Sequence, residues 1–569
     1  MDRLWSQRWA ALAAAAVVVV AVLVVAAQPV RSPWWTYADA DASYTAAALN
    51  LVLGEDVTFV DHPGLPLTEA VAIAFGVEAL LEEGSLSESA RLAFVDRALL
   101  DLDSTRWVFR GISGLVYLLG ALLSFLFAAR LFGHWTWGLA GGLLWVAAPG
   151  LMAMSIQLRP DVPLAVLTLV FGFTVARAVE RRSSEWYAAA AATVGFAVMV
   201  KLHALALLPA LVVAALWRPA DARDVPDRLR RWLRHRRALV ASIAGAWLCV
   251  ALLLNVARLP WDVSRVQLGV LAALVAVVTV VLAVAKVLHR PFYSLLVVAL
   301  TAGLLLPVTL DVPDGLRALH YIVRAISGQG VQEGVDSFAT PLSSLDSIVG
   351  RRALLVFLLA AAAGVLGIVR RDPRPVVWTV GALSMGAMAF ARPPNVHYFA
   401  PTFVLAVLAL FWLLQRTPRS RASIFVWPLV LFLLWPAWQD RDVPALEQER
   451  LAASSQEAKR YIDANLRPGE VALVPSYSPF EDSRYFELVE IYVEHTPDYP
   501  YRSLPTTAAV RPFAEARRLR PRFYFGPEAT NLSGRTRVPL GELGTYTLVP
   551  TPVQGLAEIV QGPGVSEVW

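Results

Sequence analysis

Residues 10–27 form eighteen consecutive side chains with no charged or polar group among them. The hydrocarbon core of a bilayer takes about 20 such residues in a helix, with a range of about 17–25. Runs of this kind recur at 10–27, 111–131, 135–154, 162–178, 187–200, 202–217, 238–256, 266–286, 292–310, 352–369, 375–391, 397–414 and 423–437. That pattern predicts an α-helical polytopic membrane protein of about 13 transmembrane helices. Residues 187–217 are nearly one run, too long for one straight span, and the chain is expected to break at Lys201 and His203. With 57% hydrophobic and 17% charged residues, the composition excludes a soluble globular enzyme, a disordered chain and a collagen-like fibre. The one cysteine, Cys249, excludes a disulfide framework and a cysteine-ligated metal cluster.

The arginines test the span count independently. With a cytoplasmic N-terminus, the short inside loops hold 22 Lys and Arg, whereas the short outside loops hold 5. Such asymmetry sets orientation. It also accounts for the net charge of +5 without a nucleic-acid partner. The first run has the positive start of a signal peptide, but its length and its Gln28-Pro29-Val30 ending favour an uncleaved span. The expectation is a multi-pass protein of the plasma (inner) membrane, with its C-terminal domain outside the cytoplasm.

Three long segments then lie outside: 28–110, 311–351 and 438–569. In the first, 65–82 and 86–101 carry apolar residues at helical spacing and read as helices on the membrane surface. The third is polar and proline-rich, with a helix over 445–466 and strands at 471–475, 522–525 and 545–549, a small α/β domain. Residues 1–437 form the transmembrane module and 438–569 the extracytoplasmic domain.

No Walker loop, HExxH or GxSxG occurs. Instead, ionisable groups gather at the outer ends of the spans, where each is costly enough to be a functional candidate. YADADASY at 37–44 sets Asp39 and Asp41 two residues apart in a loop, suited to a general base or to a divalent cation; solvated carboxylates are the plainer reading. VDHPGLP at 60–66 gives Asp61 and His62 before a turn. QLRPDVP at 157–163 places Arg159 and Asp161 at the mouth of the fourth span, where Asp161 would also serve as a helix cap. Lys201, one of three lysines in the chain, comes with His203 at the break, where snorkelling is the plainer reading. ARPPNVHYFAP at 391–401 adds Arg392, His397 and Tyr398. All lie on one side under a single topology. Arginine and lysine there suit a leaving phosphate, and a carboxylate suits removal of an acceptor's proton.

These stretches resemble a family. The DADASYTAAALNLVLG (39–54), DHPGLPL (61–67), RPDVPLAVLTLVFGF (159–173), TVGFAVMVKLHALALLPAL (193–211) and HYFAPTF (397–403) segments are similar to the GT-C glycosyltransferases. Within that class, the nearest resemblance is to the dolichyl-phosphate-mannose-protein mannosyltransferase and aminoarabinose (lipid A) transferase group. It covers the first 220 residues or so, and the twelfth span locally. The resemblance implies transfer of a sugar from a polyprenyl-phosphate donor, outside the cytoplasm and with inversion, to a glycan, lipid or protein acceptor. It implies that the first acidic residue of the loop motif is the base. Ala40 intervenes where the family often has adjacent acids, so the base stays open between Asp39 and Asp41, with Asp39 favoured. By the same resemblance Lys201 contacts the donor phosphate, as do Arg159, His397 and Arg392. Asp61, His62, Asp161, His203 and Tyr398 are acceptor-side or supporting residues. Metal dependence varies across the family, so Asp39-Ala40-Asp41 does not decide it; Mg²⁺ or Mn²⁺ there would need further oxygen ligands, from Asp61 or the donor phosphate. Transfer of a whole oligosaccharide from a pyrophosphate donor is the alternative enzyme, and a transporter or a non-catalytic scaffold the alternative from other classes.

Overall fold

The computed structural model describes residues 2–27, 38–57, 64–148, 150–155, 157–217, 291–309, 311–326, 345–390, 396–416, 426–428, 430–433, 443–467, 470–474, 485, 503–505, 523–527, 536–539 and 545–550. The apolar runs at 238–256 and 266–286 lie outside these residues. Two compact units divide the chain. One comprises 1–27, 60–73 and 110–441, and the other 28–59, 74–109 and 442–569.

The first unit is helical. Its elements are α1 (Asp2–Ala27), the start of α3 (Leu65–Glu83), most of α5 (Leu102–Phe132), α6 (Trp135–Val146), the short α7 (Leu151–Met154), α8 (Asp161–Arg181), α9 (Ser184–Val200), a 3₁₀ turn (Leu202–Leu207) and α10 (Leu208–Ala215). After residue 290 follow α11 (Pro291–Val308), α12 (Val312–Ile326), α13 (Leu345–Val369), α14 (Pro373–Phe390), a second 3₁₀ turn (Val396–Phe399) and α15 (Ala400–Gln415). Among the described residues, three helices are long and apolar enough to cross a membrane: Arg8–Ala26, Leu102–Phe132 and Asp161–Arg181. Shorter apolar helices include Ser184–Val200, Leu295–Val308, Leu354–Val369 and Ala400–Gln415.

Without water to expel, helices in lipid associate by close packing of small residues, and this chain uses that device. The α9 sequence Ala188–Ala192 and Gly195 faces Gly303 of α11 so closely that a Cβ on Gly195 would collide with the Leu300 carbonyl, and one on Gly303 with the Ala192 carbonyl. Alanine and glycine on these two helices therefore set their separation. Buried polar groups find backbone partners between helices, as hydrocarbon demands. Trp378 of α14 donates to the Gly172 carbonyl of α8 at 2.8 Å, and Thr379 to the Ala360 carbonyl of α13 at 2.8 Å. Tyr187 of α9 donates to the Ala214 carbonyl at 3.0 Å.

The 311–351 segment, expected only as an outer loop, contains the strongly amphipathic α12. Asp311 begins it by accepting the Asp314 amide at 3.2 Å, as an N-cap aspartate does. Its apolar residues Leu316, Leu319 and Ile322 are buried.

The second unit holds α2 (Ala38–Leu53), the remainder of α3, α4 (Glu88–Leu100), the start of α5, α16 (Val443–Asn465) and a five-stranded sheet. Arg91 of α4 reaches the Val52 carbonyl at the end of α2 at 2.8 Å, and Phe94 packs on Phe75. The strands are β1 (Ala472–Val474), β2 (Ser503–Pro505), β3 (Phe523–Pro527), β4 (Thr536–Pro539) and β5 (Thr545–Pro550), in the order β2-β1-β3-β5-β4. β1 runs parallel to β2 and β3, whereas β5 is antiparallel to β3 and β4. Ala458, Ile462 and Leu466 of the α16 segment join Ala472, Val474, Phe525, Val538 and Tyr546 in one apolar cluster.

Candidate active site

The α9 helix ends because Lys201 leaves it: its backbone is extended, with φ −158° and ψ 132°. The expected break at this lysine is present, and the chain resumes as the 3₁₀ turn and then α10, which has a proline in its first turn. A broken helix exposes carbonyls that hydrocarbon cannot satisfy. The amide of Gly64 takes one of them, bonding the Val200 carbonyl at 3.0 Å. Gly64 has φ +52°, which glycine adopts at no steric cost.

The Lys201 side chain does not snorkel. It is 2% exposed, and its Nζ lies 2.7 Å from Oδ1 of Asp161, which is also 2% exposed. Asp161 is not the residue preceding the helix: Pro160 holds the N-cap position of α8, and Asp161 opens the first turn. A carboxylate there is favoured by the helix dipole. Nζ also sits over the Tyr398 ring, 4.6 Å from its centroid. His203 stacks on the same tyrosine, with ring centroids 5.3 Å apart and an interplanar angle of 22°. Asp161, Lys201, His203 and Tyr398 thus converge from α8, the α9 break and the turn before α15. An ammonium held by a carboxylate and an aromatic face in a desolvated setting is a site for an anion.

The other expected residues are placed as follows. Asp39 and Asp41 are in the first turn of α2, not in a loop. The alanine-rich segment after them is strongly helix-forming, and acidic residues are stabilised at a helix start. Their side chains lie outside the described residues. Arg159 is half-buried two positions before Asp161, and its amide bonds the Gln157 carbonyl at 2.8 Å. His397 is in the 3₁₀ turn before α15, with its side chain outside the described residues. Asp61, His62 and Arg392 lie outside them entirely. Among the described residues, no three metal-ligating side chains gather.

One buried acid is absent from the residues expected on sequence grounds. Glu69 is 1% exposed, and among the described residues neither carboxylate oxygen has a hydrogen-bond partner. Burial, and then the negative charges of Asp311 and Asp314, push its carboxyl well above the usual range. Arg110, also fully buried, belongs to the same unit. The signal is present in the sequence. Glu69 shares a helical face with Leu65, Ala72, Phe75 and Ala79, all buried, so a carboxylate interrupts an apolar stripe.

Comparison with known proteins bears on this site. No curated protein matches the chain. Among solved structures, the Archaeoglobus fulgidus oligosaccharyltransferase in the apo form is 15% identical with a TM-score of 0.47, over 92% of this chain and 70% of that one. The oligosaccharyltransferase AglB from the same organism, in complex with an inhibitory peptide and a dolichol-phosphate, is 13% identical with a TM-score of 0.46 over the same shares. ArnT from Cupriavidus metallidurans in the apo state is 16% identical with a TM-score of 0.35, over 96% and 98%. Residues 92–254 match the family described as dolichyl-phosphate-mannose-protein mannosyltransferase. The stretch that supplies Arg159, Asp161, Lys201 and His203 is therefore similar to the dolichyl-phosphate-mannose-protein mannosyltransferases.

Proposed function

We propose that this chain is an inverting glycosyltransferase of the GT-C class, embedded in the membrane. It moves a sugar from a polyprenyl-phosphate donor to an acceptor hydroxyl on the extracytoplasmic side. The observation that carries this reading is the buried Lys201–Asp161 pair lying inside the family-matched stretch. An ammonium already desolvated and oriented stabilises charge as it develops on a leaving phosphate, with little reorganisation.

In the reaction, the bond between the anomeric carbon and the phosphate oxygen breaks, and its electron pair leaves with the polyprenyl phosphate. The acceptor oxygen bonds the anomeric carbon from the opposite face, which inverts it. The acceptor's proton passes to a carboxylate, Asp39 or Asp41, with Asp39 favoured by the resemblance. Lys201 holds the departing phosphate, and Arg159, His397 and Arg392 add contacts to it. Asp161 holds Lys201 in place until the donor arrives, and Tyr398 and His203 support the same group. Asp61 and His62 belong to the acceptor side. A divalent cation on Asp39 and Asp41 would add charge at the phosphate. The chain is placed in the plasma (inner) membrane, with residues 1–437 as the transmembrane module, its N-terminus cytoplasmic, and residues 438–569 outside, where that domain would meet a glycan, lipid or protein acceptor.

The test offers purified full-length protein labelled monosaccharides on polyprenyl phosphate and labelled oligosaccharides on pyrophosphate. Monosaccharide transfer, with Lys201→Ala raising the donor concentration needed, supports the reading. Transfer of the oligosaccharide alone would replace it with the ligase alternative, and liposome flux without any glycosyl product would replace it with transport.

A further inference from the structure

The opposite end of α8 carries a second charged centre, which glycosyl transfer does not use. Asp161 and Arg181 are the first and last residues of a 21-residue helix, so the two ends are roughly 30 Å apart at 1.5 Å per residue. At the far end, α13 stops at Val369 and the chain turns through Arg370, Arg371 and Asp372 into α14. The turn closes by backbone bonds from Arg370 to Leu366 at 2.9 Å, Arg371 to Ile368 at 3.1 Å and Asp372 to Gly367 at 2.9 Å.

Arginine is an unusual choice here. Arg371 has φ +54° and Arg182, just after α8, has φ +48°. They are the two non-glycine residues with positive φ among the described residues. Left-handed backbone costs a side-chain-bearing residue roughly 1–2 kcal/mol, which glycine avoids. Nothing in the turn itself needs the guanidinium of Arg371.

Beside this turn lies a cavity of about 600 Å³, whose charged lining is Arg370, Arg371, Arg374 and Arg416 against Glu180 and Asp372. The acids are already engaged. Asp372 accepts from Arg374 at 2.8 and 3.0 Å, from Arg416 at 3.0 Å and from Trp412 at 2.8 Å, and Glu180 lies 2.8 Å from Arg177. Arg370 and Arg371 are exposed and pair with no carboxylate among the described residues. The α13 face leading up to them is apolar and uncovered at Leu358, Val365, Ile368 and Val369. The spacing Leu358, Val365, Val369 is one helical stripe. A lipid-facing stripe that ends in two uncompensated arginines beside a basic cavity has the form of a headgroup site.

We propose that this cavity binds the phosphodiester headgroup of an anionic phospholipid. Arg370 and Arg371 grip the phosphate oxygens, and the acyl chains lie along the Leu358–Val369 face of α13. The site is separate from the donor site, and its test reads lipid binding alone, so it stands or falls independently of the transferase reading.

The experiment uses the full chain in non-ionic detergent doped with phosphatidylglycerol, phosphatidylcholine or inorganic phosphate. Lipid retention is read by native mass spectrometry, and protection by the shift in unfolding temperature. Phosphatidylglycerol should be retained and should raise the unfolding temperature, with the other two additives doing neither. Arg370→Gln and Arg371→Gly should each weaken phosphatidylglycerol binding about tenfold, or about 1.4 kcal/mol. Arg371→Gly guards against misfolding, because glycine accepts the left-handed turn and should keep or raise stability in phosphatidylcholine. Equal retention of the two lipids, wild-type phosphatidylglycerol affinity in Arg371→Gly, or full competition by inorganic phosphate at matched concentration would each overturn the proposal.

Discussion

Replacing Asp161 by asparagine keeps the size of the side chain and removes the carboxylate 2.7 Å from the Lys201 ammonium. Both residues are 2% exposed, so water is not at hand to replace the lost charge. Removing one member of a buried pair costs about 3–5 kcal/mol, most of it a penalty on the buried charge that remains. Lys201→Met alone removes the ammonium from the buried carboxylate instead, and should cost a similar amount. The double variant Asp161→Asn, Lys201→Met removes both charges together, so that neither penalises the other's loss. The double variant should therefore fall short of the summed single costs by at least about 2 kcal/mol. Unfolding of the purified chain by a denaturing detergent, followed by tryptophan fluorescence, measures all three against wild type. Simple additivity would mean that the pair is not energetically coupled, and the reasoning about a desolvated, poised ammonium would fail with it. The double variant, even if stable, should still need more donor for turnover, since the ammonium that holds the phosphate is gone.

Three further outcomes are expected. Tyr398→Leu removes the ring 4.6 Å below Lys201 Nζ, a contact of about 2 kcal/mol when desolvated, and should raise the donor KM more than Tyr398→Phe does; equal effects of the two in a donor titration would argue against it. Glu69→Gln should leave stability unchanged below the usual carboxyl value of 4.5, where the acid is protonated folded or unfolded. Above that value the wild type loses stability with rising pH up to its raised folded value, so Gln should then be the more stable; equal destabilisation at every pH in thermal unfolding from about pH 4 to 8 would count against a buried, neutral carboxyl. Gly195→Leu should prevent α9 and α11 from closing, since even a Cβ meets the Leu300 carbonyl, and its yield of monodisperse protein should collapse while Gly76→Ala, with open space around it, stays near wild type.

Helices of this chain are legible because apolar length is a local property. The runs at 162–178 and 375–391 reappear as α8 and α14 with their ends shifted by a few residues. The break at Lys201 is legible for the same reason, as a charge in the middle of a run too long for one span. What the two sides of the site do to each other is not local. Asp161 reads as a cap and Lys201 as a snorkelling lysine when taken singly, and their pairing across forty residues follows from packing of α8 on α9. The loop expected for Asp39 and Asp41 is helix because the alanines after them outweigh the aspartates. Glu69 interrupts an apolar stripe that the sequence shows, yet on a helix lying in the membrane surface a glutamate carries no cost, so the interruption alone does not single it out. Once that face is buried, the same carboxyl becomes costly to ionise. The helix at 312–326 shows its amphipathic spacing plainly, yet short apolar stretches between long spans draw little notice.

The glycosyl-transfer reading meets its sharpest test in the two aspartates at the start of α2. Purified wild type, Asp39→Asn and Asp41→Asn are each given a labelled polyprenyl-phosphate sugar and an acceptor hydroxyl, with turnover and donor binding measured separately. We expect wild type to form the inverted glycoside, and at least one variant to lose about 100-fold or more in turnover while still binding donor. Near-normal turnover in both variants would leave the transfer without a base and contradict the glycosyltransferase mechanism.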